Sequence, residues 1–524
     1  MRGFVRLIVV MAVFSVVLFS QDAAQMPNRC ASIPVLTSIP TSSWNGWGGD
    51  NANTRFQPQP AGGLTAADAP KLKLKWAFGF PGARAVSGQP TIVGGRVFVS
   101  SDNGYVYSLD AASGCVHWSF HADAAVRSAV VVERLAAGKA YAVFFGDARG
   151  NAYALDVTTG LQAWKTRVEE HPTARITGGV RVFEGRVYVP VASGEEGSGG
   201  AATYECCTFR GSVVALNAET GKQVWKTYVI PDEPKPTSKN ATGTQLFGPS
   251  GAGVWNSPTI DAKRRALYVG TGNAYSAPAA ATTAALIAMD LDSGKILWSV
   301  QETKNDIWLS VCIQNPGPNC GPDHDFGSPP ILRTLPNGNA ILVAGQKSGN
   351  VWAHDPDKKG AVVWKAPLVD DTTAFGGKLV WGGAADEQNA YFGLGPGGIA
   401  AVQFRDGQKK WFTPLQPPPG APARPGQEGA LSAIPGAVIS GGWDGVLRIL
   451  SSDDGRILWQ YNTIRDFETA NGVAAKGGSM GAPGPVIAGG LLFVPSGYVG
   501  VRNGTPGNVL LVFSADGVQL PTGR

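Results

Sequence analysis

Cys206 and Cys207 are adjacent in the stretch TYECCTFRG, and no other pair of residues in this sequence suggests such unusual chemistry. Two neighbouring cysteines can join each other only through a strained ring, and strain of this kind is found where function requires it. Alternatively, each cysteine pairs with a distant partner, or both are buried thiols that pack as small apolar side chains. Spacing alone leaves these interpretations open.

The other four cysteines suggest two ordinary disulfides. Cys312 and Cys320 bracket a short loop, and we expect them to pair with each other. Cys30 and Cys115 are then left, and their disulfide would clasp the N-terminal tail to the first structural repeat. The chain has six cysteines, and an even number suits an oxidising compartment outside the cytoplasm.

The N-terminal sequence MRGFVRLIVVMAVFSVVLFSQDAAQ also predicts export. Basic residues precede an apolar run from about Leu7 to Phe19, and small residues follow, which is the order of a secretory signal peptide. The run is too short for a stable membrane span, although an uncleaved membrane anchor is the alternative. We predict a signal peptide over residues 1–25, cleaved between Ser20 and Gln25. The mature protein would be periplasmic or secreted, with no membrane span.

A repeated phrase defines the elements that must position any functional side chain. Each copy contains an alternating apolar strand, a polar turn that closes on Gly, and a second short strand that carries Trp, which is the pattern of a β-hairpin. The clear copies are VYSLDAASGCVHW, AYALDVTTGLQAW, VVALNAETGKQVW, LIAMDLDSGKILW and LRILSSDDGRILW, ending at Trp118, Trp164, Trp225, Trp298 and Trp459, and looser copies end at Trp364 and Trp411.

The spacing of the repeats predicts an all-β, eight-bladed β-propeller. Successive tryptophans lie 42 to 73 positions apart, which allows one four-stranded sheet with its loops. The eighth unit is split, because Trp76 has no repeat phrase before it and NVLLVFSADG near Asp516 has no Trp after it. We therefore expect the N- and C-terminal strands to close the ring in one blade. The predicted divisions are a tail over residues 26–71 and the propeller over residues 72–524.

Composition agrees with one large β domain. The repeats run almost from end to end of the 524 residues, and 70 glycines suit an all-β chain with many tight turns. Charged residues make up 16% of the chain, the net charge is +5, and Lys and Arg are dispersed. This distribution excludes the basic patch typical of a nucleic-acid-binding protein.

An ordered set of motifs carries a family resemblance. The set comprises WNGWGGDNANTRFQP, the adjacent cysteines, VWNSPTIDAKRRALYVGTGNAYS, GPDHDFGSPPIL and GQKSGNVWAHD. Together these motifs resemble the alcohol dehydrogenases that depend on pyrroloquinoline quinone (PQQ). CCTFRG, DFGSPP, WGGAADEQNAYFG and GGSMGAPGP are most similar to the polyvinyl alcohol dehydrogenases within that family. The resemblance extends approximately from Trp44 to the C-terminus.

The resemblance implies a PQQ site. PQQ is a flat quinone with three carboxylates, so its site needs a stacking surface on each face, cations for the carboxylates, and a divalent metal. The family pattern places Trp255 under the ring and the Cys206–Cys207 disulfide over it, although a Trp in a propeller is ordinarily a core residue. Lys347 matches the basic residue that reaches the quinone oxygens. Arg127 matches a carboxylate-binding arginine less closely, and a solvent-facing charge is the alternative.

The resemblance also implies Ca²⁺, with a lanthanide not excluded. Asn273 in GTGN matches the metal ligand that uses a side-chain carbonyl, and Ca²⁺ prefers oxygen ligands. The expected glutamate ligand is displaced, because alignment on FRG puts Cys206 at its position. Either Glu205 reaches the metal through a local shift, or Glu195 or Glu196 does so.

Two aspartates in PDHDFGSPP match the carboxylates next to the metal in the family. Hydride transfer from an alcohol requires a base that removes the hydroxyl proton. We expect Asp323 to be this base and Asp325 to be a metal ligand or a supporting group, although loop carboxylates are usually only solvated. Trp443 and Trp381 are further candidates on the substrate side.

The predicted function is oxidation of the hydroxyl groups of polyvinyl alcohol or related secondary alcohols by a PQQ-dependent dehydrogenase. The sequence contains no CxxCH, so electrons are expected to pass to a separate soluble cytochrome c. One alternative is a PQQ dehydrogenase for another alcohol, a polyol or a sugar. The other is a non-catalytic eight-bladed scaffold of the outer-membrane assembly type, which has no reason to retain the adjacent cysteines, GTGN and the DFG loop.

Overall fold

A computed structural model describes residues 25–135, 138, 140–317, 320–369, 378–417, 419, 426–500 and 504–516. The predicted signal peptide lies outside the described residues, except for Gln25. Among the described residues, no helix is both long enough and apolar enough to cross a membrane.

The described chain forms eight four-stranded antiparallel sheets, the blades of a β-propeller. The first four blades comprise β2–β5 (Thr91–Val93, Arg96–Ser100, Tyr105–Asp110, Val116–His121), β6–β9 (Val131–Arg134, Tyr141–Gly146, Asn151–Asp156, Gln162–Arg167), β11–β14 (Arg181–Phe183, Arg186–Ser193, Ser212–Asn217, Gln223–Tyr228), and β18, β19, β21 and β22 (Thr259–Asp261, Ala266–Gly270, Ala285–Asp290, Ile296–Gln301).

The other four blades comprise β23–β26 (Ile331–Thr334, Ala340–Gly345, Asn350–Asp355, Ala361–Pro367), β27–β30 (Ala384–Ala385, Asn389–Gly393, Ile399–Gln403, Lys409–Thr413), β31–β34 (Ser432–Ile434, Ala437–Gly441, Val446–Ser451, Ile457–Asn462), and β37–β39 (Val486–Ala488, Leu491–Ser496, Val509–Ser514) with β1 (Lys73–Gly79). We number them blades 1 to 8 in this order.

Shorter elements lie in the connections. They are β10 (Ala174–Arg175), which pairs with β12, the pair β15 and β16 (Lys235–Lys239, Gln245–Gly248), the pair β17 and β20 (Ser250–Gly251, Ala274–Ser276), the pair β35 and β36 (Asp466–Phe467, Ala475–Lys476), the helices α1 (Gln59–Gly62) and α2 (Glu195–Ser198), and the 3-10 turns Ala66–Lys71, Ser310–Ile313 and Pro356–Lys358.

The ring closes in blade 8 as the split repeat predicts. Strand β1 pairs antiparallel with β39, and Trp76 lies opposite Val512. Closure of this kind leaves the ring without a long unpaired edge strand. The eight-bladed architecture and its closure by the two terminal strands are therefore confirmed.

The repeated Trp and Gly join each blade to the next. A Cβ added to Gly160, in blade 2, would lie 2.6 Å from Cδ2 of Trp118 in blade 1, so the indole packs directly on the turn. Among the described residues, six of these indoles also donate to a backbone carbonyl of the following blade at 2.9–3.2 Å, namely Trp76 to Ala111, Trp118 to Val157, Trp164 to Ala218, Trp225 to Leu291, Trp364 to Phe404 and Trp411 to Ser452.

The six cysteines form three disulfides, Cys30–Cys115, Cys206–Cys207 and Cys312–Cys320. The expected pairings are confirmed, and the adjacent cysteines are joined to each other. The N-terminal clasp is reinforced by the backbone, because Cys30 N donates to Val116 O and Val116 N donates to Asn28 O.

The N-terminal segment 44–57 forms part of the propeller floor. Its residues hydrogen-bond to the innermost strand of every blade, through Ile92, Val132, Arg181, Ile260, Leu332, Ala385, Ala433 and Ile487 in blades 1 to 8. The guanidinium of Arg55, 1% exposed, lies 5.0 Å from the ring centre of Trp47 and 5.4 Å from that of Trp44. The motif WNGWGGDNANTRFQP is thus a circular support beneath the blades.

Candidate active site

Lys347 lies between the two aspartates that the sequence singled out. Its Nζ is 2.9 Å from Asp323 Oδ1 and 2.8 Å from Asp325 Oδ1. Lys347 follows β24 and the aspartates precede β23, and because these strands are paired the two loops leave blade 5 side by side. The backbone fixes the contact, since Lys347 N donates to Asp325 O at 3.0 Å. The structure therefore brings Asp323, Asp325 and Lys347 together.

Burial governs the charges in this group. The Asp323 side chain is only 14% exposed, and burial raises the pKa of its carboxyl well above the usual range, with Lys347 opposing the shift and Asp325 adding to it. Burial disfavours the Lys347 ammonium, but Asp323, Asp325 and Glu196 outweigh it and raise the pKa of Lys347. The lysine remains a cation in a site where carboxylates outnumber it.

Trp255 forms one wall beside these charges. Its Nε1 donates to Asp325 Oδ2 at 3.1 Å, and its ring centre lies 5.1 Å from Lys347 Nζ. The loop that carries Asp323 and Asp325 is called the base loop below. Gly327 allows the Trp255 ring to lie this close to it, because a Cβ on Gly327 would be 2.0 Å from Cη2 of Trp255. A second indole, that of Trp308, has its ring centre 5.8 Å from the same ammonium. Trp255 is partly exposed.

Asn273 lies between β19 and β20 and is held by a residue that the sequence motifs did not indicate. Its Nδ2 donates to Asp306 Oδ2 at 2.8 Å, and both side chains are buried. A carboxylate only accepts hydrogen bonds, so the amide nitrogen must face Asp306 and the carbonyl oxygen remains for another partner. Asp306 precedes the loop closed by Cys312–Cys320, and its position there, just before Trp308, is the signal that could have drawn attention to it.

Glu196, in α2, is electrostatically coupled to the group around Lys347. Burial raises the pKa of Glu196, Lys347 opposes this shift and Asp325 adds to it. Glu205 is exposed, and no described contact joins it to Asn273 or Lys347. The assignment of Glu205 as a metal ligand stays a prediction, and Glu196 is the alternative that these interactions favour.

Glu195 has a structural role instead. It is fully buried, and its carboxylate accepts hydrogen bonds from Thr208 N and Phe209 N, both at 2.9 Å, and from the Tyr204 hydroxyl at 3.1 Å. These donors occupy both carboxylate oxygens and fold residues 199–209 back onto α2.

The Cys206–Cys207 disulfide is buried in this structure, with Cys206 4% exposed and Cys207 0% exposed. The sulfurs pack against Gly199, where a Cβ would lie 2.8 and 2.9 Å from them, and Phe247 N donates to Cys206 O. The disulfide thus packs the loop that follows α2. The role of Cys206 and Cys207 as the cofactor cover stays a prediction from the family resemblance.

An aromatic group borders the other side of Trp255. The Trp381 ring meets Trp255 edge-on at 5.2 Å, and the Arg127 guanidinium lies 4.4 Å from the Trp381 ring centre. Arg127 also donates to the Tyr498 hydroxyl at 2.8 Å, and Tyr498 contacts Trp443 at 5.6 Å. Arg127, Trp381 and Trp443 are thus brought to one side of the site, and Tyr498 is a member that the sequence analysis missed.

The donor set fits a divalent cation that prefers oxygen. Glu196, Asp323 and Asp325 place three carboxyl groups around one lysine, and Asp325 Oδ1 receives no well-aligned hydrogen bond. The carbonyl of Asn273 adds a neutral oxygen. Within the described part of the chain, no three His, Cys, Asp or Glu side chains converge as a complete metal site. A cation here would take its remaining ligands from Asn273 and from a bound molecule.

Comparisons with known proteins show the family of this chain. Residues 44–366 match the family model described as "PQQ: Glucose/ethanol/alcohol dehydrogenase, beta-propeller domain". The chain is 42% identical to a polyvinylalcohol dehydrogenase of Pseudomonas sp. over 95% of its length and 82% of the relative's. It is 39% identical to the polyvinylalcohol dehydrogenase of Sphingopyxis sp. (strain 113P3) over 93% of its length and 79% of the relative's.

A solved structure shares the fold. The quinohemoprotein alcohol dehydrogenase ADHIIG from Pseudomonas putida HK5 superposes with a TM-score of 0.69, covering 92% of this chain and 82% of the other, at 19% identity.

Proposed function

The chain belongs to the PQQ-dependent glucose, ethanol and alcohol dehydrogenase family, and we propose that it oxidises secondary hydroxyl groups of polyvinyl alcohol or of related secondary alcohols. Oxidation of alcohols with PQQ is the activity of the family, which argues against the non-catalytic scaffold. The finer choice of substrate is supported by the two polyvinylalcohol dehydrogenases, each at least 39% identical over most of the chain. Another alcohol, a polyol or a sugar is the second candidate.

The observation that carries the proposal is the position of Lys347 between Asp323 and Asp325 beside Trp255. PQQ, when bound, accepts a hydride from the alcohol carbon and so takes up the two electrons of the oxidation. Trp255 would stack on one of its faces and Lys347 would reach its oxygens, while Arg127 would bind a carboxylate. Trp308, whose ring centre lies 5.8 Å from Lys347 Nζ, is our candidate for the second face in place of the disulfide.

Asp323 is proposed as the general base. It takes the hydroxyl proton as the C–H hydride leaves, and the secondary alcohol becomes a ketone. Among its described contacts the Asp323 carboxylate is bound by Lys347, whereas the second oxygen of Asp325 is held by the Trp255 indole. Asp325 is accordingly proposed to support the metal, and Lys347 to stabilise negative charge on the cofactor.

Ca²⁺ is the proposed metal, held by Asn273, Glu196 and Asp325. Glu196→Gln should raise the Ca²⁺ concentration required for PQQ binding at least about tenfold, because a charged oxygen ligand is lost. The matched control is Glu205→Gln, an equal change on the exposed neighbour, which should leave that concentration unchanged. A larger effect of Glu205→Gln would identify Glu205 as the ligand instead of Glu196. Repeating the titration with a lanthanide tests the alternative metal.

We also propose that the protein acts in the periplasm and returns electrons to a separate soluble cytochrome c. The support is the predicted signal peptide and the absence of CxxCH from this sequence. Purified protein with PQQ should reduce an added cytochrome c without any haem absorbance of its own. A haem spectrum that survives denaturation of the purified chain would contradict this part.

The decisive experiment is reconstitution of the purified protein with PQQ and Ca²⁺, followed by dye reduction. Polyvinyl alcohol and small secondary alcohols should be oxidised faster than primary alcohols and glucose. Turnover of glucose with none of polyvinyl alcohol would favour the second candidate. Absence of PQQ binding at any Ca²⁺ concentration would refute the proposed function as a whole.

A further inference from the structure

We propose that Asp306 is the positioning residue that couples the metal ligand to the base loop. The proposal rests on the proposed function, and it assigns a task to a carboxylate that the reaction itself does not use. Asp306 is 0% exposed and lies between the GTGN loop and the loop that carries Asp323. Its side chain reaches both.

The first contact fixes the orientation of Asn273. Asp306 Oδ2 accepts from Asn273 Nδ2 at 2.8 Å, and Asp306 O accepts from Ala274 N at 3.0 Å. With the nitrogen end bound in this way, the amide cannot rotate without placing its carbonyl against a buried carboxylate. The oxygen that would bind the metal is therefore held in one orientation before any cation arrives.

The second contact fixes the base loop. Asp306 Oδ1 accepts from Asp323 N at 3.1 Å, and Oδ2 also accepts from His324 N at 2.7 Å. Asp323 has a φ of 60°, in the left-handed region that few residues other than Gly adopt, so its backbone needs support. Two hydrogen bonds to a buried carboxylate provide that support at the proposed base itself.

Gly321 provides the space that the Asp306 carboxylate occupies. A Cβ on Gly321 would lie 2.3 Å from Asp306 Oδ1, and Gly321 N donates to Ile307 O. Asp306 precedes the loop closed by Cys312–Cys320, and Gly321 follows it. The two ends of this loop therefore lie against each other at Asp306. Because one carboxylate serves both loops, its loss should disturb metal binding and proton removal together.

The test compares Asp306→Asn with Asp147→Asn. Asp147 is a matched control, also fully buried, which accepts from Asn151 Nδ2 and from Arg149 N and Asn151 N in blade 2, apart from the contacts described for the site. Asp306→Asn should raise the Ca²⁺ concentration for half-maximal PQQ binding, followed by quenching of Trp fluorescence, by about 10- to 100-fold. Asp147→Asn should lower the melting temperature without changing that concentration.

The two roles separate at saturating Ca²⁺. Asn273→Ala should regain most of its turnover there, whereas Asp306→Asn should remain slow because the base loop is still unsupported. If Asp306→Asn binds Ca²⁺ and turns over as the wild type does, the inference is wrong while the proposed function stands. If the wild type binds no PQQ, the proposed function falls and the inference falls with it.

A second variant decides the matter even if Asp306→Asn does not fold. Asn273→Asp adds a charged oxygen, which by itself should strengthen Ca²⁺ binding. If Asp306 holds residue 273 by accepting its N–H, the new carboxylate loses that hydrogen bond and meets a like charge, so Ca²⁺ binding should weaken. Tighter binding by Asn273→Asp would overturn the proposal.

Discussion

The contacts between blades and the loops around Lys347 follow different rules within one molecule. Between blades the same contact recurs, with an indole on a turn glycine and its Nε1 on the next backbone. Around Lys347 every contact occurs once and joins segments far apart in sequence, such as Trp255 to Asp325 and Asn273 to Asp306. The first region is redundant, whereas the second depends on single residues.

The difference predicts opposite consequences of mutation. Loss of one inter-blade contact leaves the equivalent contacts of the other blades in place. Stability should therefore fall while turnover is kept. A lost contact in the site leaves a reacting group out of position, so turnover should fall far more than stability does. Each experiment below tests one side of this contrast.

The largest expected effect is that of Asp323→Asn. The amide keeps the size of the side chain but cannot take the hydroxyl proton, so turnover should fall by roughly two to four powers of ten, the usual contribution of a positioned base. The variant should stay folded, because Lys347 keeps its ion pair with Asp325. Steady-state rates with saturating PQQ and Ca²⁺, together with thermal melts, check both.

Asp325→Asn is the control within the pair. If Asp325→Asn abolishes turnover while Asp323→Asn remains active, the two roles are exchanged. If both variants remain active, the loop has no part in proton removal.

The contrast also explains what the sequence could predict. The hairpin phrase encodes its own strands, turn and Trp within thirteen residues, so the blades and their closure could be predicted from local pattern. The cluster of Asp323, Asp325 and Lys347 was predicted only because the family motifs mark all three. Nothing in the local pattern around Asp306 indicates which distant amide it binds.

Glu196 shows the limit of alignment by one motif. Alignment on FRG placed the expected glutamate at Cys206, next to the exposed Glu205. Glu196 lies in α2, ahead of residues 199–209, and interacts electrostatically with Lys347 and Asp325. The vicinal disulfide was predicted correctly as a bond, but its burial depends on how that loop folds against Gly199 and Phe247, which spacing does not reveal.

The disulfide provides the next test, because it lies close to the site in sequence but belongs with the packing. Replacing Cys206 and Cys207 together by Ala should destabilise the fold by roughly 1–3 kcal/mol, as expected for lost buried atoms. PQQ affinity should be unchanged, since the sulfurs have almost no open surface. A loss of affinity of about tenfold or more, measured by fluorescence quenching, would support the stacking role instead.

A pair of glycines isolates the inter-blade contact. Gly160 and Gly185 have φ values of 71° and 73°, but a Cβ on Gly160 would meet Trp118 at 2.6 Å whereas a Cβ on Gly185 would meet nothing within 4 Å. Gly185→Ala should cost about 1 kcal/mol for the left-handed backbone alone. Gly160→Ala should cost about 1–3 kcal/mol more, for overpacking, with turnover unchanged. If Gly160→Ala and Gly185→Ala lower the free energy of unfolding equally in denaturant, the contact between the indole and the turn glycine does not contribute to stability.

The smallest expected effect on turnover concerns Glu302, which directly follows the Trp-bearing strand β22. Burial raises the pKa of Glu302 to about 7, with Lys365 opposing the shift. Its Oε1 lies 3.7 Å from Nε2 of His354, and in the described structure neither atom has a hydrogen-bond partner. Burial also lowers the pKa of His354, so both groups favour their neutral forms. The pair therefore fits the fold best when it carries no charge.

The sign of the pH dependence follows from the raised pKa. The unfolded carboxyl ionises near pH 4.5 and the folded one near pH 7, so its contribution to stability is present below about pH 4.5 and is lost as pH rises towards 7. Glu302→Gln keeps a neutral side chain at every pH. It should melt roughly 3–6 °C above the wild type at pH 8 and about 1–2 °C above it at pH 5, because a pKa raised from 4.5 to about 7 corresponds to about 3 kcal/mol at pH 8. Turnover at saturating PQQ should be the same in both proteins, because Glu302 supports a blade rather than the site. A lower melting temperature for Glu302→Gln than for the wild type at pH 8 would mean that the Glu302 carboxylate is charged and paired.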